Sequence, residues 1–142
     1  MSISPIIFAK HAGQFLDAAK REAASSAASI SLPAYFLVAR SIELALKSYL
    51  LLEGRQEREL RKISHDLGVA LDAAQASGLS ALLPVAPESE QAVRWINDYY
   101  ALKDLEYPTT GFKSYPPLHY LVSFAESLLA ALQPRLRVWR PA

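Results

Sequence analysis

"IELALKSYLLLEG", residues 42–54, decides the fold, because it is a long apolar run at helical spacing that ends at a glycine. Gly54 readily adopts the left-handed backbone conformation that ends many helices. Apolar residues cover so wide an arc of this helix that we expect neighbours to pack on several of its sides. These residues are Tyr35, Phe36, Ala39, Ile42, Leu46, Tyr49 and Leu50 on one side and Leu37, Leu44 and Leu51 on another.

A narrow polar line interrupts this apolar surface. Arg40, Glu43 and Lys47 follow one another at spacings of three and four residues, which places them on one side of the helix. Glu43 precedes Lys47 by four residues, the order that favours an ion pair. The line is either an exposed strip that adds little to stability, or the border of a cleft where partly desolvated charges bind a polar ligand.

The whole chain has the pattern of an all-α protein. Apolar residues recur at three- and four-residue spacing, and no long stretch alternates with period two. Proline, glycine and serine positions predict about five helices, and the mostly short connections between them predict an antiparallel bundle that forms a single domain over residues 1–142. The helices are expected over residues 5–24, 31–53, 67–77, 87–99 and 117–132, and Pro134 is expected to end the last one.

Two basic segments lie outside these predicted helices. The charged link "RQERELRK", residues 55–62, mixes both signs and is typical of a solvated face, although a helical conformation would align three of its cations toward phosphates. The basic tail from about residue 134, "RLRVWRPA" in residues 135–142, places Trp139 among arginines. That tryptophan either stacks on an unpaired base or docks on a neighbouring helix or second subunit.

Composition excludes several kinds of function. The chain has 0 cysteines, which rules out disulfides, thiolate nucleophiles and cysteine-based metal sites. Its histidines are far apart, so we expect no metal and no cofactor. A net charge of +1 gives no global attraction to nucleic acid or membrane. We expect a cytoplasmic protein, because no targeting segment is recognised and the longest uncharged stretch is interrupted by Pro33.

The order of motifs between residues 35 and 111 resembles the HEPN superfamily (higher eukaryote and prokaryote nucleotide-binding domains). Members of that superfamily are small helical bundles, commonly dimeric. Many contain a helix of the type E-x-x-x-K followed by leucines and a glycine, and then a helix that opens with His-Asp-Leu. Here the matching residues are Glu43, Lys47, Gly54, His65, Asp66 and Leu67.

A loop further along the chain extends the resemblance. "LKDLEYPTTG", residues 102–111, is similar to the family's aromatic-proline connection through Lys103, Tyr107 and Pro108. The resemblance implies a nucleotide- or RNA-associated module, often a homodimer and often the partner of a minimal nucleotidyltransferase in a toxin–antitoxin or defence setting. The candidate ligand-binding residues are Arg40, Glu43, Lys47, His65, Asp66, Lys103 and Tyr107.

The pair His65–Asp66 has two interpretations. An imidazole exchanges protons near neutral pH, and beside Glu43 and Lys47 it would complete a contact for a phosphate or a base. Alternatively, the pair caps the start of a helix and does no chemistry. The functional interpretation requires His65 to face Glu43 and Lys47 across the bundle.

Catalytic members of the family are metal-independent ribonucleases with an Arg, four to six intervening residues and a His. Arg58 and His65 meet this spacing, but they lie ahead of the third predicted helix, whereas the family's motif lies on a later helix. His119, on the last predicted helix, has no Arg at the matching distance. We therefore favour a non-enzymatic binding and dimerisation module. A structural protein-interaction bundle without a ligand and a ribonuclease using Arg58 and His65 are the alternatives.

Overall fold

The computed structural model describes residues 3–26, 30–105, 111 and 113–142, and all regular structure within these residues is helical. The all-α prediction is confirmed. Seven helices lie in the described residues instead of the predicted five or so: five overlap the predicted helices, and two short ones lie between these. The helices are α1 Pro5–Ser26, α2 Leu32–Leu52, α3 Glu57–Ile63, α4 Leu67–Ala76, α5 Leu79–Leu82, α6 Pro87–Tyr100 and α7 Leu118–Val138.

Helix α2 lies at the centre of the molecule, as its wide apolar arc predicts. It packs against α1, α4, α6 and α7, and every residue from 41 to 50 is buried. The Ser31 hydroxyl caps its start by accepting the Ala34 N–H at 3.2 Å. No helix in the described part of the chain has the length and apolar character that a membrane crossing requires.

Helices α1 and α2 meet through small side chains. Ala12 of α1 is buried, and its carbonyl accepts the Ser41 hydroxyl at 2.7 Å. The Ser48 hydroxyl likewise donates to the Pro5 carbonyl at 2.8 Å. Because alanine and serine are small, the two backbones lie close enough for hydroxyl groups of one helix to reach carbonyls of the other.

The charged link after α2 contains a true helix. The Glu59 side chain caps the start of α3 by accepting the Gln56 N–H at 3.4 Å, and Arg61 pairs with Glu57 one turn away at 2.9 Å. Two apolar residues of α3, Leu60 and Ile63, are buried. The packing of these two side chains against the rest of the bundle favours a helix in this segment. The charge pattern of the link gives no sign of that packing.

The expectation that Pro134 ends the last helix is wrong. Helix α7 continues through Pro134 to Val138, so only residues 139–142 of the predicted basic tail lie beyond it. Proline costs the helix one backbone hydrogen bond, but the next turn has compensating contacts. Arg135 pairs with Glu53 at 2.7 Å and donates to the Leu52 carbonyl at 3.2 Å, while Leu136 is buried.

The close α1–α2 contact predicts a large penalty for added volume. Replacing Ala12 by Leu places three extra carbons in a filled interface and lowers the free energy of unfolding by about 2 kcal/mol. Replacing Ala24, exposed on the same helix, by Leu is the matched control and changes it by less than about 0.5 kcal/mol. Urea denaturation measures both, and equal stability of the two variants contradicts the close packing.

Candidate functional site

A buried carboxylate joins the polar residues of α2 to two other parts of the chain. The Glu43 side chain is 1% exposed. Its Oε2 accepts Lys47 Nζ at 2.8 Å and Arg40 Nη1 at 3.1 Å. Its Oε1 accepts the Tyr100 hydroxyl at 2.6 Å and lies 3.0 Å from His65 Nδ1. We call these five residues the Glu43 cluster.

Three elements build the Glu43 cluster. Helix α2 supplies Arg40, Glu43 and Lys47 from one line on its surface, α6 supplies Tyr100 from its last residue, and the turn between α3 and α4 supplies His65. The His65 ring lies edge-on to the Tyr100 ring at a centroid distance of 6.4 Å. The carboxylate therefore bonds three parts of the chain at one point.

The turn that presents His65 has a backbone conformation unusual for its residue type. Ser64 has φ 54° and ψ −128°, and the Asp66 N–H donates to the Ile63 carbonyl at 3.2 Å. This is the geometry of a type II′ turn, whose first central position normally holds glycine. Lys47 Nζ donates to the Ser64 carbonyl at 2.6 Å. The lysine thus fixes the peptide that orients the imidazole, and it holds a conformation that costs a non-glycine residue free energy.

The cluster favours an ionised Glu43. Burial by itself raises the pKa of this carboxyl, but hydrogen bonds from Lys47 and Tyr100, the Lys47 charge and the His65 hydrogen bond together lower the pKa below its ordinary value of 4.5. Burial, and next the negative charge of Glu43, raise the pKa of Tyr100 above its ordinary value of 10.0. Glu43 is therefore an anion and Tyr100 a neutral hydrogen-bond donor across the whole physiological range.

A groove of about 340 Å³ opens beside the cluster, between the start of α1, α2 and α3. The His65 side chain is 46% exposed, and within the described residues only its Nδ1 has a hydrogen-bond partner. Its Nε2 is therefore available to a ligand. The groove is lined by Ile3, Phe8, Lys47, Glu57, Leu60, Arg61, Ser64 and His65.

A larger hollow of about 730 Å³ lies along the outer side of α6 and shares no residue with the cluster. Its arginine is already engaged, since Arg94 pairs with Asp72 at 2.7 Å and with Glu90 at 3.4 Å. The Trp95 indole N–H donates to the Ser114 carbonyl at 3.1 Å. The smaller groove is the better candidate, because it combines an available imidazole nitrogen with buried ionic groups.

Four predicted site residues come together. Arg40, Glu43, Lys47 and His65 are all members of the cluster, and two of them, Lys47 and His65, line the groove. The interpretation of the polar line as an exposed strip is wrong, since the Glu43 side chain is buried and that of Lys47 is only 9% exposed. Of this line, Lys47 borders the groove, and binding of a polar ligand there stays a prediction.

Asp66 points to a different part of the fold. Its carboxylate caps α4 by accepting the Val69 N–H at 3.0 Å, and it accepts Asn97 Nδ2 at 3.0 Å. Asn97 in turn accepts the Leu67 N–H at 2.8 Å, which joins α4 to α6. The helix-cap interpretation thus describes Asp66, whereas His65 makes side-chain contacts with the cluster instead.

The other predicted residues are less connected. Lys103 lies in the turn after α6 with a positive φ of 62°, and its N–H donates to the Tyr100 carbonyl. Tyr107 lies outside the described residues. Arg58 is exposed on α3, and no hydrogen bond or ion pair of its side chain is found within the described part of the chain. The arginine next to His65 is Arg40, whose Nη1 lies 3.2 Å from Nδ1.

Sequence reasoning missed Tyr100 and the Ser64 carbonyl. Tyr100 lies one residue beyond the predicted helix 87–99, and nothing in its spacing links it to residue 43. A backbone carbonyl carries no sequence signal at all. Among the described residues no group of three or more His, Asp or Glu side chains is arranged to hold a metal ion.

Comparisons with protein-family models, with curated proteins and with solved structures find no match to this chain.

Removing one partner of the buried ion pair is expected to be costly. Lys47→Met deletes the cation beside Glu43 and releases the Ser64 carbonyl, so we expect the free energy of unfolding to fall by about 3 kcal/mol. Lys20→Met is the control, because the Lys20–Glu126 pair is about half exposed on both sides and should contribute less than about 1 kcal/mol. Chemical denaturation at pH 7 compares them. Similar losses in both variants would show that the cluster is not effectively desolvated.

The lowered pKa of Glu43 predicts a specific pH dependence. Its ionised form contributes stability that is present above the ordinary value of 4.5 and is lost as the pH falls through the lower folded-state pKa. The stability difference between the parent and Glu43→Gln should therefore be large at pH 7 and shrink at pH 3.5. Urea titrations at both pH values measure it, with Glu126→Gln as the exposed control. A difference that stays constant or grows in acid contradicts an ionised Glu43.

Proposed function

We propose that this chain is a HEPN-like binding module whose groove takes a nucleotide or a nucleotide unit of an RNA strand, without catalysing a reaction. The observation that carries the proposal is the convergence of Arg40, Lys47 and His65 on Glu43 at the wall of the groove. Glu43 holds these groups in fixed positions, and a fixed site loses less entropy when a ligand binds.

The lining of the groove suits the two halves of a nucleotide. Phe8 and Leu60, together with Ile3, supply apolar surface on which a base can pack. The guanidinium of Arg61 supplies donors for a phosphate, and His65 adds a donor at Nε2 when its ring is protonated. A nucleotide combines a flat ring that packs on apolar surface with an anion that pairs with cations, so it matches both parts of this lining.

The resemblance of the motif order supports the finer parts of the proposal. An up-and-down antiparallel HEPN topology, a homodimer, and a nucleotidyltransferase partner in a toxin–antitoxin or defence setting all follow from that resemblance. A cytoplasmic location agrees with such partners. These statements rest on the short motifs around Glu43, Lys47 and His65 and on their spacing.

The geometry favours binding over ribonuclease activity. Arg58, which meets the family's spacing, is exposed and has no bond to His65 in the described residues. Nδ1 of His65 and the guanidinium of Arg40 are both committed to Glu43. If the chain were a ribonuclease, it would cleave RNA without metal, and His65→Ala would abolish the cleavage.

One observation favours a purely structural role for the cluster. No buried side-chain nitrogen or oxygen in the described residues lacks a hydrogen-bond partner, so the fold already satisfies the cluster internally. If the chain is a protein-interaction bundle without a ligand, substitutions of groove residues should leave its binding to a protein partner unchanged.

Binding by isothermal titration calorimetry separates these functions. We expect the parent protein to bind nucleotides or short unstructured RNAs, and we expect His65→Ala and Arg61→Ala each to weaken binding about tenfold by removing a charge-assisted contact. Arg21→Ala is the control, because Arg21 is exposed on α1 about 20 Å along the helix from Phe8.

Thermal unfolding of each variant checks that the fold is retained. Equal binding by the parent and both groove variants, or no binding by the parent, contradicts the proposed site and leaves the structural role.

A further inference from the structure

The charges around the groove nearly cancel. Lys47 and Arg40 share the Glu43 carboxylate, and Arg61 is paired with Glu57, with Nε and Nη2 both bonded to Oε2 at 3.0 and 2.9 Å. Three cations therefore face two carboxylates, which leaves a net charge of +1 with a neutral His65 and +2 with a protonated one. A site with this balance can offset the charge of about one phosphate and no more.

From this balance we infer that the groove selects a nucleoside bearing a single phosphate over di- and triphosphates, with Glu57 as the residue that sets this preference. The inference rests on the proposed nucleotide-binding function. Two kinds of ligand present an apolar ring beside one phosphate: a free nucleoside monophosphate and a phosphodiester-linked nucleotide of a strand.

The positions of the donors agree with a single phosphate. Within the described residues, Lys47 Nζ already makes two hydrogen bonds, to Glu43 and to the Ser64 carbonyl, so its ammonium has one hydrogen left for a ligand. His65 offers only Nε2, which donates to a phosphate oxygen when the ring is protonated. These remaining donors can satisfy a few phosphate oxygens, whereas the sites that bind triphosphates use many backbone amides or a metal ion.

Glu57 makes additional phosphates unfavourable. It lines the same groove and lies on the first turn of α3, beside the guanidinium that a phosphate would contact. A second phosphate would approach this carboxylate closely, and like charges at short distance repel. Glu57 therefore has two effects. It positions the Arg61 guanidinium for one phosphate, and its negative charge disfavours a second phosphate.

The test measures the affinities of the full chain for adenosine and for its mono-, di- and triphosphates, in a magnesium-free buffer at constant ionic strength. We expect the monophosphate to bind more tightly than adenosine, and the di- and triphosphates to bind no more tightly than the monophosphate. Glu57→Gln keeps a hydrogen-bond acceptor for Arg61 but removes the charge. It should raise the affinity for the diphosphate relative to the monophosphate about fourfold, whereas Glu126→Gln leaves that ratio unchanged.

Each outcome bears on the inference. Affinity that increases steadily from mono- to triphosphate, or a Glu57→Gln variant with an unchanged ratio, overturns the single-phosphate preference while leaving nucleotide binding intact. No binding of any of these ligands overturns the proposed function as well. A dinucleotide with one phosphodiester separates the two sources: tighter binding than the monophosphate assigns the groove to a strand, and weaker binding assigns it to a free nucleotide.

Discussion

The ion pair between Glu43 and Lys47 is the interaction on which the rest of the site depends. A carboxylate that is 1% exposed requires compensation for its lost hydration, and Lys47 supplies the nearest cation at 2.8 Å. The same ammonium holds the Ser64 carbonyl, and through that turn it positions His65. Arg40 and Tyr100 complete the ring of donors around Glu43. Because the network joins α2, α6 and the α3–α4 turn, it couples the position of the site to the packing of the bundle.

The amino-acid sequence predicted the parts of this arrangement that local periodicity determines. The apolar arc of α2 placed that helix at the centre, and the spacing of Arg40, Glu43 and Lys47 placed them on one line. The position of His65 opposite that line required a tertiary contact, which the family resemblance suggested and periodicity could not. Tyr100 was missed because nothing in its sequence position shows that its hydroxyl reaches a buried carboxylate. The helix past Pro134 was missed because the local cost of proline is visible in the sequence, whereas the distant partner of Arg135, Glu53, is not.

The buried network has both a structural and a functional interpretation, and the adjoining groove favours the functional one. A cluster that served stability alone could be closed off from solvent on all sides. Here the His65 side chain is nearly half exposed, and the cluster borders a groove with apolar and charged walls. Holding an imidazole by Nδ1 while leaving Nε2 available is a recurrent way to orient a histidine toward a ligand. Stability and binding would then depend on the same carboxylate, so a substitution that removes the Glu43 carboxylate would weaken both.

The carboxyl carbon of Glu43, followed by NMR as the pH is lowered, tests the central claim most directly. We predict that its signal changes with a midpoint below 4.5, and that the His65 ring signals respond in the same range because the imidazole contacts that carboxylate. A midpoint at or above 4.5, with no response of His65, would mean that burial outweighs the surrounding donors and that Glu43 does not organise the site.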